Sequence, residues 1–117
     1  MTDETAPMRS VNLAQVAQAQ LDAARAASSG RSTTTLFGER GSRHRQVLLA
    51  LADGRTLSEH ENPGEATLHV LVGRVRVRAG DVTWEGADGD YLVIPQARHD
   101  VTALADSAVL LTVARHA

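Results

Sequence analysis

Between Gly54 and Gly73 the chain reads Gly-Arg-Thr-Leu-Ser-Glu-His-Glu-Asn-Pro-Gly-Glu-Ala-Thr-Leu-His-Val-Leu-Val-Gly, and further on Gly89 to His99 reads Gly-Asp-Tyr-Leu-Val-Ile-Pro-Gln-Ala-Arg-His. Both stretches run from a glycine through residues of strand type. His60 and Asn62 are two positions apart, and on a strand such residues share a face. After Gly73 comes Arg74-Val75-Arg76-Val77-Arg78, whose strict alternation puts valines on one face and arginines on the other. Leu68 to Val72 and Arg74 to Arg78 are expected to form a hairpin about Gly73 with a wet outer side. The three arginines fit a solvated or dimer-facing strand surface, with an anion-binding row as the alternative.

The pattern of strands continues on either side. Thr33 to Phe37 is rich in β-branched residues, and Gln46 to Leu51 is a short apolar run ended by Asp53-Gly54. Turns at Ala79-Gly80-Asp81, Glu85 to Gly89 and Ala105-Asp106-Ser107 separate Val82-Thr83-Trp84, Asp90 to Ile94, His99 to Leu104 and Ala108 to Val113. Many short strands at close spacing predict an all-β sandwich or barrel. Upstream, Asn12 followed by Gln15 is a helix start, because the Asn side chain accepts from an unpaired first-turn amide. The helix is expected over about Leu13 to Ala27, with Leu13, Val16, Ala17, Leu21 and Ala24 on one face and Gly30 as a stop. Three segments follow: a flexible arm over 1–10, a helical segment over 11–30 and a β domain over 31–117.

Composition narrows the function classes. With 12 basic against 14 acidic side chains and a formal net charge of −2, no long-range field favours nucleic acid or an anionic membrane. The absence of cysteine excludes disulfides, thiolate metal sites and cysteine nucleophiles. An acidic N-terminus and the lack of a long apolar run predict a cytoplasmic protein. No Gly-x-Ser-x-Gly elbow, phosphate loop or marked carboxylate pair is present, so no catalytic residue is assigned.

The two glycine-bounded stretches resemble the two signature motifs of the cupin family. In the first motif the family places His-x-His and a Glu between two glycines; here both glycines and His60 are in register, Asn62 stands at the second His and Ala66 at the Glu. In the second, Gly89, Pro95 and His99 match, the stretch is one residue short, and Ala97 and Ala103 replace a glycine and an asparagine. The resemblance implies an antiparallel jelly-roll barrel of the cupin type, preceded by the one amphipathic helix. It also implies a site in the barrel where family members hold iron, manganese, zinc or nickel.

The resemblance transfers a ligand role to His60 and His99 alone, since an Asn amide is a poor ligand for a borderline ion and Ala has no donor. Glu65 would substitute for the missing carboxylate if a bulge at Pro63-Gly64 turned it inward. His69 is a lesser candidate, because alternation with Leu68 and Val70 turns it outward. Asn62, Trp84 and Tyr91 are candidates for the pocket, with core packing as the alternative for the two aromatics. The expected function is small-molecule binding or sensing around His60 and His99, with one divalent metal weakly bound or absent. The alternative is a metal-dependent oxygenase or isomerase using His60, His99 and Glu65. A homodimer is expected from the apolar faces of Leu68 to Val72 and of the helix.

Overall fold

The structure, a computed structural model, describes residues 7–39, 41–60 and 64–115, with the backbone alone at residues 59 and 60. One helix, α1 (Leu13–Ala26), precedes nine strands: β1 (Arg31–Phe37), β2 (His44–Leu51), β3 (Thr56–His60), β4 (Gly64–Val72), β5 (Arg74–Ala79), β6 (Val82–Ala87), β7 (Tyr91–Ile94), β8 (His99–Ala103) and β9 (Ser107–Arg115). They form two antiparallel sheets, one in the order β1-β2-β9-β4-β7 and the other in the order β3-β8-β5-β6. The expected jelly-roll architecture is present, although the sheets face one another as separate layers and do not close into one hydrogen-bonded barrel.

Alternation decides what lies between the layers. From the five-stranded sheet Leu49, Leu51, Ala66, Leu68, Val70, Ile94 and Val109 point inward, and Val75, Val77, Val101 and Ala103 meet them from the other sheet. On β5 each arginine is exposed and each valine buried, as the sequence pattern predicts. The arginine row does not wait for an anion: Arg76 pairs with Glu85 at 3.1 Å and Arg78 with Asp100 at 3.0 Å, both on the outer face.

The expected hairpin about Gly73 is not formed. β4 pairs with β7 and β9, β5 pairs with β6 and β8, and Gly73 carries the chain from one sheet to the other. Its φ of +96° belongs to the left-handed region, and a Cβ there would overlap the Asp106 carbonyl and the Ser107 hydroxyl. The Gly73 amide donates to Asp88 Oδ1 at 2.7 Å, and the Arg74 amide to Ser107 Oγ at 3.0 Å. Partners on two other turns thus take the place of the hairpin's own ladder. β3, which the sequence pattern did not single out as a strand, is short and polar and is held by β8.

The helix begins where the capping pattern places it, with Asn12 Oδ1 accepting from the Gln15 amide at 3.0 Å. Its buried stripe, Ala17, Leu21 and Ala24, packs on Leu48, Ala50 and Ala108 of the chain's own five-stranded sheet. The small alanines let the helix lie close to the strands. Arg25 near its C-terminal end reaches Asp106 Oδ2 at 2.7 Å, while Asp106 Oδ1 accepts from the Asp53 amide at 2.8 Å. One carboxylate therefore ties the helix, the β2–β3 turn and the β8–β9 turn together.

The Asp53 amide first, and the Arg25 guanidinium second, hold the Asp106 carboxyl below its ordinary pKa. A carboxyl with a depressed folded-state pKa adds stability above its unfolded value, near 4, that is lost as pH falls through the folded value. Asp106→Asn is accordingly expected to lower Tm by a few degrees at pH 7. The gap from wild type should narrow as pH drops below about 4. Melting curves of the two proteins between pH 2.5 and 7 check this; a pH-independent gap would assign the loss to geometry alone.

Candidate functional site

The site is built from two rows of residues, one on each sheet. In the four-stranded sheet the register aligns the Cα atoms of His60, His99, Ala79 and Val82 across β3, β8, β5 and β6. In the five-stranded sheet Arg45, Val113, Ala66 and Ile94 align across β2, β9, β4 and β7. Residues 61–63 join the end of β3 to the start of β4, and residues 95–98 join the end of β7 to the start of β8. The ends of β3 and β7 and the starts of β4 and β8 therefore lie at the same end of the sandwich, where the two rows face each other as its mouth. Beneath them the next inward layer includes Leu57, Val77, Val101, Trp84, Leu68 and Leu111.

His99 lies on the inward face of β8 with Val101 and Ala103 and is 2% exposed. Its Nδ1 is 3.2 Å from the Ala97 carbonyl oxygen. A carbonyl only accepts, so Nδ1 carries the proton in that bond. His60 reaches its place through a bulge. Leu57 pairs with Val101 and His60 with His99, so β3 spends one residue more than β8 over that interval. Without it, parity would place His60 out of register with His99.

The other expected residues are distributed differently. Ala66 is 5% exposed and faces inward, at the position where the resemblance implies a carboxylate. Glu65 is exposed on the opposite face, because β4 pairs with β9 in unbroken register from Gly64 to Val70 and contains no bulge there to re-aim it. His69 also faces outward, opposite Tyr91 on the neighbouring strand. Tyr91 is 61% exposed on that outer face and does not line the mouth. Trp84 is directed inward, packs against the core and covers Gly86, where a Cβ would overlap the indole. Asn62 lies outside the described residues.

The motif reading passes over Arg45. It begins the inward series continued by Val47, Leu49 and Leu51, and it is the Cα partner of Val113. Its Nε is buried and has no hydrogen-bond partner. The signal in the sequence was the period of two running back from Leu49, but neither face of β2 could be named inner before Leu48 was seen against the helix. Gln96 closes the rim by donating from Nε2 to the Gly64 carbonyl at 2.8 Å. A cleft of about 520 Å³ lined by residues of β1 and by Arg9, Ser10, Val11 and Val16 contains none of the motif residues.

The described residues do not fit the metal centre that the resemblance implies. No group of three His, Asp or Glu side chains among them is placed to hold an ion. Ala66 supplies no donor, and Glu65 and His69 stand on the far side of their sheet.

No family model and no curated protein matches the chain. Solved structures do. A conserved protein of unknown function from Streptococcus pyogenes is 22% identical with a TM-score of 0.71, over 78% of this chain and 79% of that one. A cupin superfamily protein from Desulfitobacterium hafniense is 21% identical with a TM-score of 0.67, over 74% of this chain and 78% of that one. An RmlC-like cupin from Desulfovibrio desulfuricans is 26% identical with a TM-score of 0.62, over 72% and 81%. Among the described residues no helix is long and apolar enough to cross a membrane.

Placing a carboxylate on the inward Ala66 position and an imidazole at position 62, where the resemblance implies the second His, should complete the ligand set that the resemblance implies. The double variant Asn62→His with Ala66→Glu is expected to bind zinc roughly 100-fold more tightly than the native chain. Calorimetric titration of both proteins with zinc provides the comparison, and equal affinities would mean that Ala66 does not face His99.

Proposed function

We propose that this chain, which has the cupin fold, is a small-molecule binding protein whose site is the mouth between the two aligned rows. The observation that carries the reading is a buried imidazole, His99, set opposite an apolar row in which Ala66 is the smallest member. Binding sites of this kind combine apolar walls with a few polar groups that fix orientation. Ala66, Val113 and Ile94 supply the walls, and the buried His99 ring is the polar group among them. A ligand entering here would bury its apolar surface against Leu68 and Leu111 and exchange water for the His99 ring.

The metalloenzyme alternative requires Glu65 at the mouth, and no observation favours it over binding. In a fragment screen by protein-observed NMR, compounds that occupy the mouth should shift the His99 imidazole resonances. Ala66→Phe fills the space and is expected to weaken those compounds at least tenfold. If no compound moves His99 and Ala66→Phe melts higher than wild type, the interior is a packed core and the reading fails.

Self-association is a separate proposal. The helix stripe and the inward side of β4 are covered within the chain, and the apolar surface it would use is that of Tyr91 and Val93, exposed on the edge strand β7. A dimeric mass by light scattering at micromolar concentration is expected, with Val93→Asp shifting it to monomer; a monomeric wild type refutes the dimer.

A further inference from the structure

We propose that the mouth selects small organic carboxylates and that Arg45 is the residue that binds the acid group. The inference rests on the small-molecule reading above and adds the class of ligand. Arg45 stands on the inward face of β2 in the same cross-strand row as Val113, Ala66 and Ile94. Its Nε is buried without a hydrogen-bond partner, and none of the ion pairs among the described residues involves it. By contrast, Arg25, Arg76 and Arg78 each have a carboxylate of this chain within 3.1 Å.

A guanidinium is always charged, and burying an N–H without an acceptor costs stability that the fold does not recover from within. Among the described residues no carboxylate pairs with it. Glu65 is exposed on the outer face of β4, and Asp100 faces outward on β8, where Arg78 holds it. Arg115, two residues beyond Val113 on the same face of β9, adds a second positive charge at the rim. The acceptor that the buried Arg45 Nε lacks is therefore one that a ligand would bring.

Geometry sets what else that ligand carries. Arg45 and Ala66 are separated by one intervening strand, about 10 Å across two strand spacings. Along that line lies Val113, and beyond Ala66 lies Ile94, so the body adjoining the acid group meets apolar side chains. An inorganic anion would leave that wall unused. A carboxylate accepts two parallel N–H bonds from a guanidinium in the fork geometry, which an amide of the same shape cannot reproduce. His99, on the facing sheet, borders the same space and reports on its occupation.

The test uses the whole chain, matched pairs of neutral and acidic probes (butyrate with butyramide, benzoate with benzamide), and Arg45→Met, which keeps the apolar stem and removes the charge. Wild type should bind each carboxylate at least tenfold more tightly than its amide, read from shifts of the His99 resonances and from Tm rising with concentration. In Arg45→Met that preference should vanish while the amides bind as before, and Arg45→Lys should retain part of it. Without ligand, Arg45→Met should melt at or above the wild-type temperature, since it removes an unpartnered buried donor. Equal binding of acid and amide to wild type, or undiminished preference in Arg45→Met, would overturn the assignment of Arg45 and leave the pocket reading standing. A lower Tm for unliganded Arg45→Met would make Arg45 a structural group and overturn it as well. If neither acid nor amide moves His99, both the pocket reading and this inference fail.

Discussion

The fold hinges on the passage from β4 to β5 through Gly73. A backbone at φ +96° with no room for a side chain lets nine residues of one sheet be followed at once by six of the other. Asp88 and Ser107 accept from the Gly73 and Arg74 amides and hold the corner, so the crossing is fixed by residues distant in the chain. Because β4 and β5 lie in different layers, Leu68 and Val70 meet Val75 and Val77 face to face instead of side by side. The core between the sheets follows from that exchange.

The mouth follows from it too. Once the two sheets face each other, the short connections 61–63 and 95–98 leave the ends of four strands at one opening. On one side of that opening the row holds three apolar residues and one arginine, and on the other the Cα register aligns His60, His99, Ala79 and Val82. Ala66, at the position where the resemblance implies a carboxylate, faces inward and offers no donor. The bulge in β3 preserves the alignment of His60 with His99 even though the carboxylate is gone.

On the outer side of the five-stranded sheet, the helix completes the structure as a cover. Its alanines bring the backbone close to β2 and β9, and the Arg25–Asp106 pair anchors its C-terminal end to a turn that also supports Gly73. Ser32 adds a hydroxyl donated to Gln20 Oε1. The same region therefore supports both the helix and the corner, and the mouth lies at the opposite end of the strands, far from this anchor.

Much of this was legible in the chain itself. Asn12 and Gln15 mark the helix start because capping is a local hydrogen bond, and the alternation of arginine and valine on β5 names its buried face because side chains on a strand point to opposite sides. Two glycine-bounded motifs were enough for the fold. What they could not decide was long-range partnership. A glycine between two strands reads the same whether it turns a hairpin or crosses between sheets, since the difference lies in Asp88 and Ser107 and not in its neighbours. Glu65, one residue from the expected ligand, was left on the outer face by a register set from Gly64 onward against β9. Arg45 took its place at the mouth only when β2 was seated between β1 and β9, because an isolated strand has two faces and only tertiary packing decides which of them is inside.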